Sequence, residues 1–448
     1  MIFEREEKID FIEKGGFKVD ASMKLDGLDD SFTTIPPAEN MIVFLRQHIG
    51  LENVPLVDKG DTVEYGQKIG DINKSDKEGA KTTPPLAVPV HSPVDGKVVE
   101  MKKMRNPLSG EVENAIIIET TSESTNNPYD PMDPKTSSKE ELLKRVREAG
   151  IVGLGGAAFP TYAKLSQKNI STLIINAKES DPNIACDFRL MLEKPKEMVS
   201  GIKLMAKILE AERIIYATRT KQGETPELTK LLGQNSIEIV RIRPCYSLGS
   251  ENLLVKEVLG KEVPSGKYPP SVGVLVHNVF TAYAVSRAIE EGEPLISRGI
   301  TLYSPKTGAK NFWVRMGTPI EHILKFSGIR HENLSRVLLG SLFMGQAIPD
   351  PSYPILKATS AVTAFTKENP DPYESPLPCI RCGYCNSVCP VDIYPQLIME
   401  AEKKKDAERL KKLHVEVCID CGLCSYVCPS RIRFTKYLSG GKKRIRQL

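Results

Sequence analysis

Only one tryptophan and six histidines occur among the 448 residues, and no uninterrupted apolar run reaches 18 residues. A membrane-crossing helix needs about 20, so the sequence predicts no span. The opening Met1-Ile2-Phe3-Glu4-Arg5-Glu6-Glu7-Lys8 is too charged and too acidic for a signal peptide. Without an export signal, and with thiols that must stay reduced, a cytoplasmic location is expected. Only Cys186 and Cys245 stand outside two dense cysteine runs; they read as small buried apolar residues rather than a disulfide. No basic patch is interleaved with aromatics, which argues against nucleic acid as a partner. Charge is nearly balanced at +4 but unevenly spread. From Arg431 onward there are seven basic residues and no acid, so the rest of the chain is net negative. Such a tail suits an acidic partner, an anionic membrane surface or a solvated, disordered end.

What is present is cysteine in a fixed spacing. Cys379–Pro390 and Cys418–Pro429 each read C-x2-C-x2-C-x3-C-P. Three such thiolates wrap one face of a cubane, and in two-cluster ferredoxins the fourth reaches the other cluster. Two [4Fe–4S] clusters are therefore expected, one on Cys379, Cys382, Cys385 and Cys428, the other on Cys418, Cys421, Cys424 and Cys389. Zinc also takes C-x2-C pairs, but two four-cysteine runs, each closed by proline, favour iron–sulfur. The segment between the runs carries Leu397, Ile398, Ala401 and Leu410, which predicts helices there and a helical ferredoxin domain.

The composition, 40% hydrophobic and 26% charged, is that of an ordinary globular chain with room for about three domains. The periodicity predicts a multidomain α/β and α+β protein. Residues 1–38 read as an irregular lead-in. Met41–Leu45, Val54–Val57 and the halves Val57–Gly70 and His91–Val98 read as short strands and turns. That pattern resembles the barrel-sandwich fold of lipoyl and biotinyl carriers. The hairpin holds no Lys within Met-Lys-Met, so a structural barrel is expected rather than a swinging arm. Residues 70–85 read as a loop. Ser138-Lys139-Glu140-Glu141 forms a capping box ahead of a helix; the strands Leu173–Asn176 and Ile214–Ala217 then alternate with helices, a Rossmann-like parallel sheet. The divisions expected are 1–137 for lead-in, barrel-sandwich and linker, 138–267 for the α/β flavin and nicotinamide domain, 268–365 for a small β-grasp-like domain, and 366–448 for the ferredoxin domain with its basic tail.

Gly153-Leu154-Gly155-Gly156 can cradle an anion, because glycines let backbone N–H groups approach a phosphate; an ordinary turn is the other reading. "G-x-G-G-A-x-F-P-T" (Gly153 to Thr161), with Lys164 nearby, resembles the flavin loop of the NADH-binding flavoprotein subunit of respiratory complex I. The order barrel, loop, two cluster runs resembles the RnfC family, peripheral subunits of the Rnf ferredoxin:NAD electron-transport complex. "L-I-I-N-A" (Leu173 to Ala177), "D-F-R-L-M-L-E" (Asp187 to Glu193), "G-K-E-V-P-S-G" (Gly260 to Gly266) and "N-V-F-T" (Asn278 to Thr281) extend the resemblance.

The resemblance implies FMN and NAD(H) sites on this chain. Gly153, Gly155, Gly156 and Lys164 would hold the FMN phosphate; Asn176, Asn278 and Thr281 would contact its ribityl and phosphate. Phe159, Glu179 and Glu251 would lie near the nicotinamide cofactor, and Asp181 supplies the second carboxylate of the acidic motif. It also implies other complex subunits as partners, among them an iron–sulfur ferredoxin-like one, and peripheral attachment at the cytoplasmic face of the inner membrane. No catalytic acid or base is implied, so His48, His91 and His277 read as structural. The sequence departs from the family at Glu179-Ser180-Asp181-Pro182, Ala217–Thr220, Tyr246–Leu253 and Gly340–Gly345, more on the nicotinamide side than in the phosphate cradle. Two further readings fit parts of the chain: a non-enzymatic iron–sulfur relay and docking subunit, and a cobalamin-reductase-like flavoprotein, whose expected domain order differs.

Overall fold

The structure, a computed structural model, describes residues 30–72, 86–179, 181, 183–219, 224–368 and 375–447, and the backbone of 12–13 and 16–17. Most of the loop expected over 70–85 therefore lies outside the described residues.

Short, valine-rich strands broken by Gly and Pro cannot run far, and here they fold back on one another. Asn40–Phe44, Val112–Ser122, Asp95–Arg105 and Thr62–Val63 form one sheet; Val54–Pro55, Lys68–Asp71 and Val90–His91 form a second. Met41, Val43, Val63, Ile69, Val98, Ile116 and their neighbours fill the space between them, giving the expected barrel-sandwich.

The central sheet is parallel, in the order Glu238–Arg241, Arg213–Thr218, Thr172–Ala177, Val274–Asn278. Its strands are apolar along their length because both faces are covered. One face packs on Pro195–Leu209 and Val279–Glu290, the other on Glu251–Leu259. The capping box forms as expected: Ser138 Oγ accepts from the Glu141 N–H, and Glu141 accepts from the Ser138 N–H. The division drawn at 267/268 is corrected here. Val274–Asn278 pairs in parallel with Thr172–Ala177, so this strand and the helix after it belong to the central sheet.

A six-stranded mixed sheet follows, running Gln346–Ile348, Leu334–Leu339, Ala361–Thr366, Ser297–Ser304, Gly308–Arg315 and Thr33–Thr34, with Ile320–Phe326 as its helix. The edge strand Thr33–Thr34 comes from the stretch expected to be irregular; its register against Phe312–Trp313 could not be read from two threonines.

The ferredoxin unit is helical, as expected: Pro395–Lys403 and Ala407–Lys412 lie between the cluster runs. The basic tail is no free end. Phe434–Ile445 is a helix that buries Phe434 and Leu438. Arg444 clasps Glu402 through two bonds of 2.8 and 2.9 Å, and Lys442 pairs with Asp420. Among the described residues no helix is long and apolar enough to cross a membrane.

Candidate functional site

A cavity of about 610 Å³ opens at the C-terminal ends of the parallel strands, where ligands of open α/β sheets bind. Its floor is the glycine loop. The N–H of Gly153 donates to Phe159 O (2.8 Å) and the N–H of Ala158 to Gly153 O (3.2 Å), folding the loop into a closed turn. Gly156 has φ +108°, a conformation that favours glycine. A Cβ there would meet nothing within 4 Å, whereas at Gly155 it would press on Asn278 at 3.4 Å. The loop is tied to the helix beside it: the N–H of Leu154 donates to Thr281 Oγ1 (2.9 Å), and Arg298 donates to Leu154 O (3.3 Å). Asn278 caps that helix by accepting from the Phe280 N–H (2.8 Å) while its Nδ2 donates to Asp187 (2.6 Å). Backbone N–H groups, a capped helix N-terminus and a lysine thus converge on one wall.

Lys164 is held by Val276 O and Glu251, both at 2.6 Å. Asn176 Nδ2 donates to Gly249 O (3.3 Å). The structure brings all eleven residues proposed for flavin and nicotinamide together: Gly153, Gly155, Gly156, Phe159, Lys164, Asn176, Glu179, Asp181, Glu251, Asn278 and Thr281 all line this cavity. His277 lines it too, and burial holds its imidazole well below the usual range, so it stays neutral.

The cavity is acidic at one end, and burial decides what that means. Burial, reinforced by the Asp187 carboxylate, pushes Glu179 well above the usual carboxylate range. Burial pushes Asp187 up to about 6, against the Asn278 bond and the Arg298 charge. Asp181 also rises to about 6 by burial, against bonds from Ser341 and the Asn183 N–H. Like charges this close and this dry share a proton rather than both ionising. Lys178, beside them, donates to Cys245 O, and burial pulls its amine down to about 7. Sequence reasoning left Asp187, Lys178, Tyr246 and Ser341 out of the site. Asp187 and Tyr246 sat inside recognised motifs; Ser341 arrives from the mixed sheet, which no local pattern announces.

The eight cluster cysteines gather in two groups. Cys379, Cys382, Cys385 and Cys428 line one cavity of about 320 Å³; Cys389, Cys418, Cys421 and Cys424 line a smaller one. These are the expected ligand sets, fourth cysteine exchanged. The two runs also share a backbone: Arg381 and Asp420 have φ +57° and +53°, Gly383 and Gly422 +82° and +79°. Burial pushes Cys385 and Cys421 up to about 11 and Cys418 up to about 12. Thiolates there need a bound cation's charge, which iron supplies, so the donor sets fit cubane clusters. The second group adjoins the large cavity, since Cys421 and Ile419 line both. Cys379 and Cys382 of the first group are exposed.

A nucleotide-shaped α/β pocket abutting a dicluster unit defines an iron–sulfur flavoprotein fold. Residues 146–287 match the Nuo51 FMN-binding domain, 13–123 the RnfC barrel sandwich hybrid domain, and 378–432 the 4Fe-4S dicluster domain. The RnfC-type component of an ion-translocating oxidoreductase complex from Serratia proteamaculans is 34% identical over 86% of this chain and 54% of its own length. That of Rhodobacter capsulatus is 35% identical over 81% of this chain and 69% of its own; that of Haemophilus influenzae is 35% identical over 97% and 65%. The chain belongs to the RnfC family of ion-translocating oxidoreductase complex components. It spans about half the length of the Serratia relative. The crystal structure of an NAD+-reducing [NiFe]-hydrogenase in the H2-reduced state shares the fold alone, with a TM-score of 0.50 and 17% identity over 69% of this chain and 63% of that one.

Proposed function

We propose that this chain is a peripheral electron-transfer subunit of an Rnf-type membrane complex, passing electrons between NAD(H), FMN and two [4Fe–4S] clusters. Partner subunits, one of them ferredoxin-like, would take or supply those electrons and hold the chain at the cytoplasmic face of the inner membrane. The observation that carries the reading is the shared wall: Cys421 lines the same cavity as the glycine loop.

The residues present fit FMN. The bare backbone at Gly156, the lysine at 164 and the helix opening at Asn278 suit a phosphate, and the volume lies within the range for a cofactor site. When bound, FMN takes up an electron pair as hydride and gives electrons up singly. Gly153, Gly155, Gly156 and Lys164 would hold its phosphate, and Asn176, Asn278 and Thr281 its polyol. Phe159, Glu179, Asp181 and Glu251 would face NAD(H). A proton shared by Glu179 and Asp187 reduces the negative charge that would otherwise repel an anionic nucleotide. From the cavity outward the order is the Cys421 set, the Cys379 set, then solvent, which places the exposed cysteines where a partner docks.

An anaerobic NADH titration of the cluster-loaded protein with added FMN tests this, followed by visible absorbance. Bleaching of both flavin and cluster bands is expected. Clusters that bleach with dithionite but not with NADH would leave only the relay reading, which the altered Ser247–Leu253 stretch favours.

A further inference from the structure

The wall between the large cavity and the pocket-side cysteines holds a polar atom with no part in binding either cofactor. Tyr246 is 5% exposed, lines the cavity, and its hydroxyl finds no partner among the described residues. Buried tyrosine hydroxyls ordinarily find one. The ring cannot swing away. It packs on Phe343 at 4.8 Å between centroids, and Phe343 packs on Tyr426 at 5.0 Å, between Cys424 and Cys428 in the chain. A Cβ at Gly422 would overlap the Phe343 carbonyl, so the second cysteine run lies flat against this aromatic stack. Tyr246 shares its apolar cluster with Leu423 and Cys421, and the charges that act on its hydroxyl are those of Asp181 and Cys421. Asp181 is already engaged by the Asn183 N–H at 3.1 Å and by Ser341.

We propose that the Tyr246 hydroxyl donates a hydrogen bond to the cluster held by Cys389, Cys418, Cys421 and Cys424, and so raises the reduction potential of that cluster above the value its cysteines alone would give. Hydrogen bonds to the sulfurs are one of the levers by which a protein sets cluster potential. The role rests on the reading above: it presumes that this cysteine set carries a cubane. It gives the aromatic stack a purpose beyond packing, making the cluster nearest the cavity the better electron acceptor of the two.

Tyr246→Phe keeps the ring on Phe343 and removes only the hydroxyl. In the full cluster-loaded chain, a potentiometric titration read by electron paramagnetic resonance should show one cluster shifted to more negative potential. A threefold change in its reduction equilibrium is expected, about 30 mV at 59 mV per tenfold for one electron. The other cluster and the flavin should not move. Replacing Tyr246 by 3-fluorotyrosine, a stronger donor of the same shape, should move the same cluster the opposite way, which a packing role would not do. Unmoved potentials in both variants overturn the proposal. A shift confined to the flavin overturns it as well, since the hydroxyl would then serve the cavity's occupant. Absence of cluster signals in the unaltered chain would sink the underlying reading instead.

Discussion

A Cys421→Ala chain is expected to retain one [4Fe–4S] signal of two, and NADH-driven reduction of that remaining cluster should slow by at least about tenfold, some 1.4 kcal/mol of barrier. Cys421 belongs to the set that adjoins the cavity, so its loss interrupts the route at the first step while leaving Cys379, Cys382, Cys385 and Cys428 intact. The partner experiment uses the outer set. Cys379→Ala removes a ligand that faces solvent and should leave NADH reduction of the pocket-side cluster at its normal rate. Iron content and cluster absorbance during an anaerobic NADH titration separate the two variants. Equal rates in both would mean that the Cys421 set does not stand between the cavity and the surface.

The largest effect on stability is expected at Gly201. This glycine sits on Pro195–Leu209 where that helix crosses Val279–Glu290, and a Cβ there would overlap the Ala282 carbonyl. Backbone cannot yield as a side chain tip can, so Gly201→Val forces the two helices apart at a cost of about 3 kcal/mol or more. The consequence reaches the site, because Val279–Glu290 opens with Asn278 and carries Thr281. Both a lower denaturation midpoint and weaker FMN retention should follow. Gly233 is the control: a Cβ there meets nothing within 4 Å, and Gly233→Ala should be neutral or slightly stabilising. An unaltered midpoint for Gly201→Val would show that the helix crossing is looser than the structure has it.

Much of this was readable from the chain because the relevant signals are local. The capping box at Ser138–Glu141, the apolar strands Thr172–Ala177 and Arg213–Thr218, and the cysteine spacing each announce themselves within a dozen residues. The exchange of Cys389 and Cys428 between sets is legible for the same reason, since spacing alone limits what one cubane face can reach. The failures are all matters of long-range pairing. Val274–Asn278 looks alike in either domain, and only its pairing with Thr172–Ala177 assigns it. Thr33–Thr34 is too short to carry a pattern. The tail's seven cations masked Phe434 and Leu438, whose burial against the ferredoxin core holds the helix in place. At the site, Asp187 and Tyr246 lay within recognised motifs but looked like ordinary helix and turn residues. Ser341 and Arg298 come from the mixed sheet, so their approach to the carboxylates depends on how separate units dock.

Cavity, Cys421 set, Cys379 set and solvent would then form one ordered path for electrons. Freeze-quench electron paramagnetic resonance after mixing the FMN- and cluster-loaded chain with NADH tests that order most directly, with the two spectra assigned through the Cys421→Ala and Cys379→Ala variants. The signal of the Cys421-ligated cluster should rise first and that of the Cys379-ligated cluster should follow it. A Cys379-ligated cluster reduced first, or reduced at the same rate when its neighbour is missing, would contradict the account.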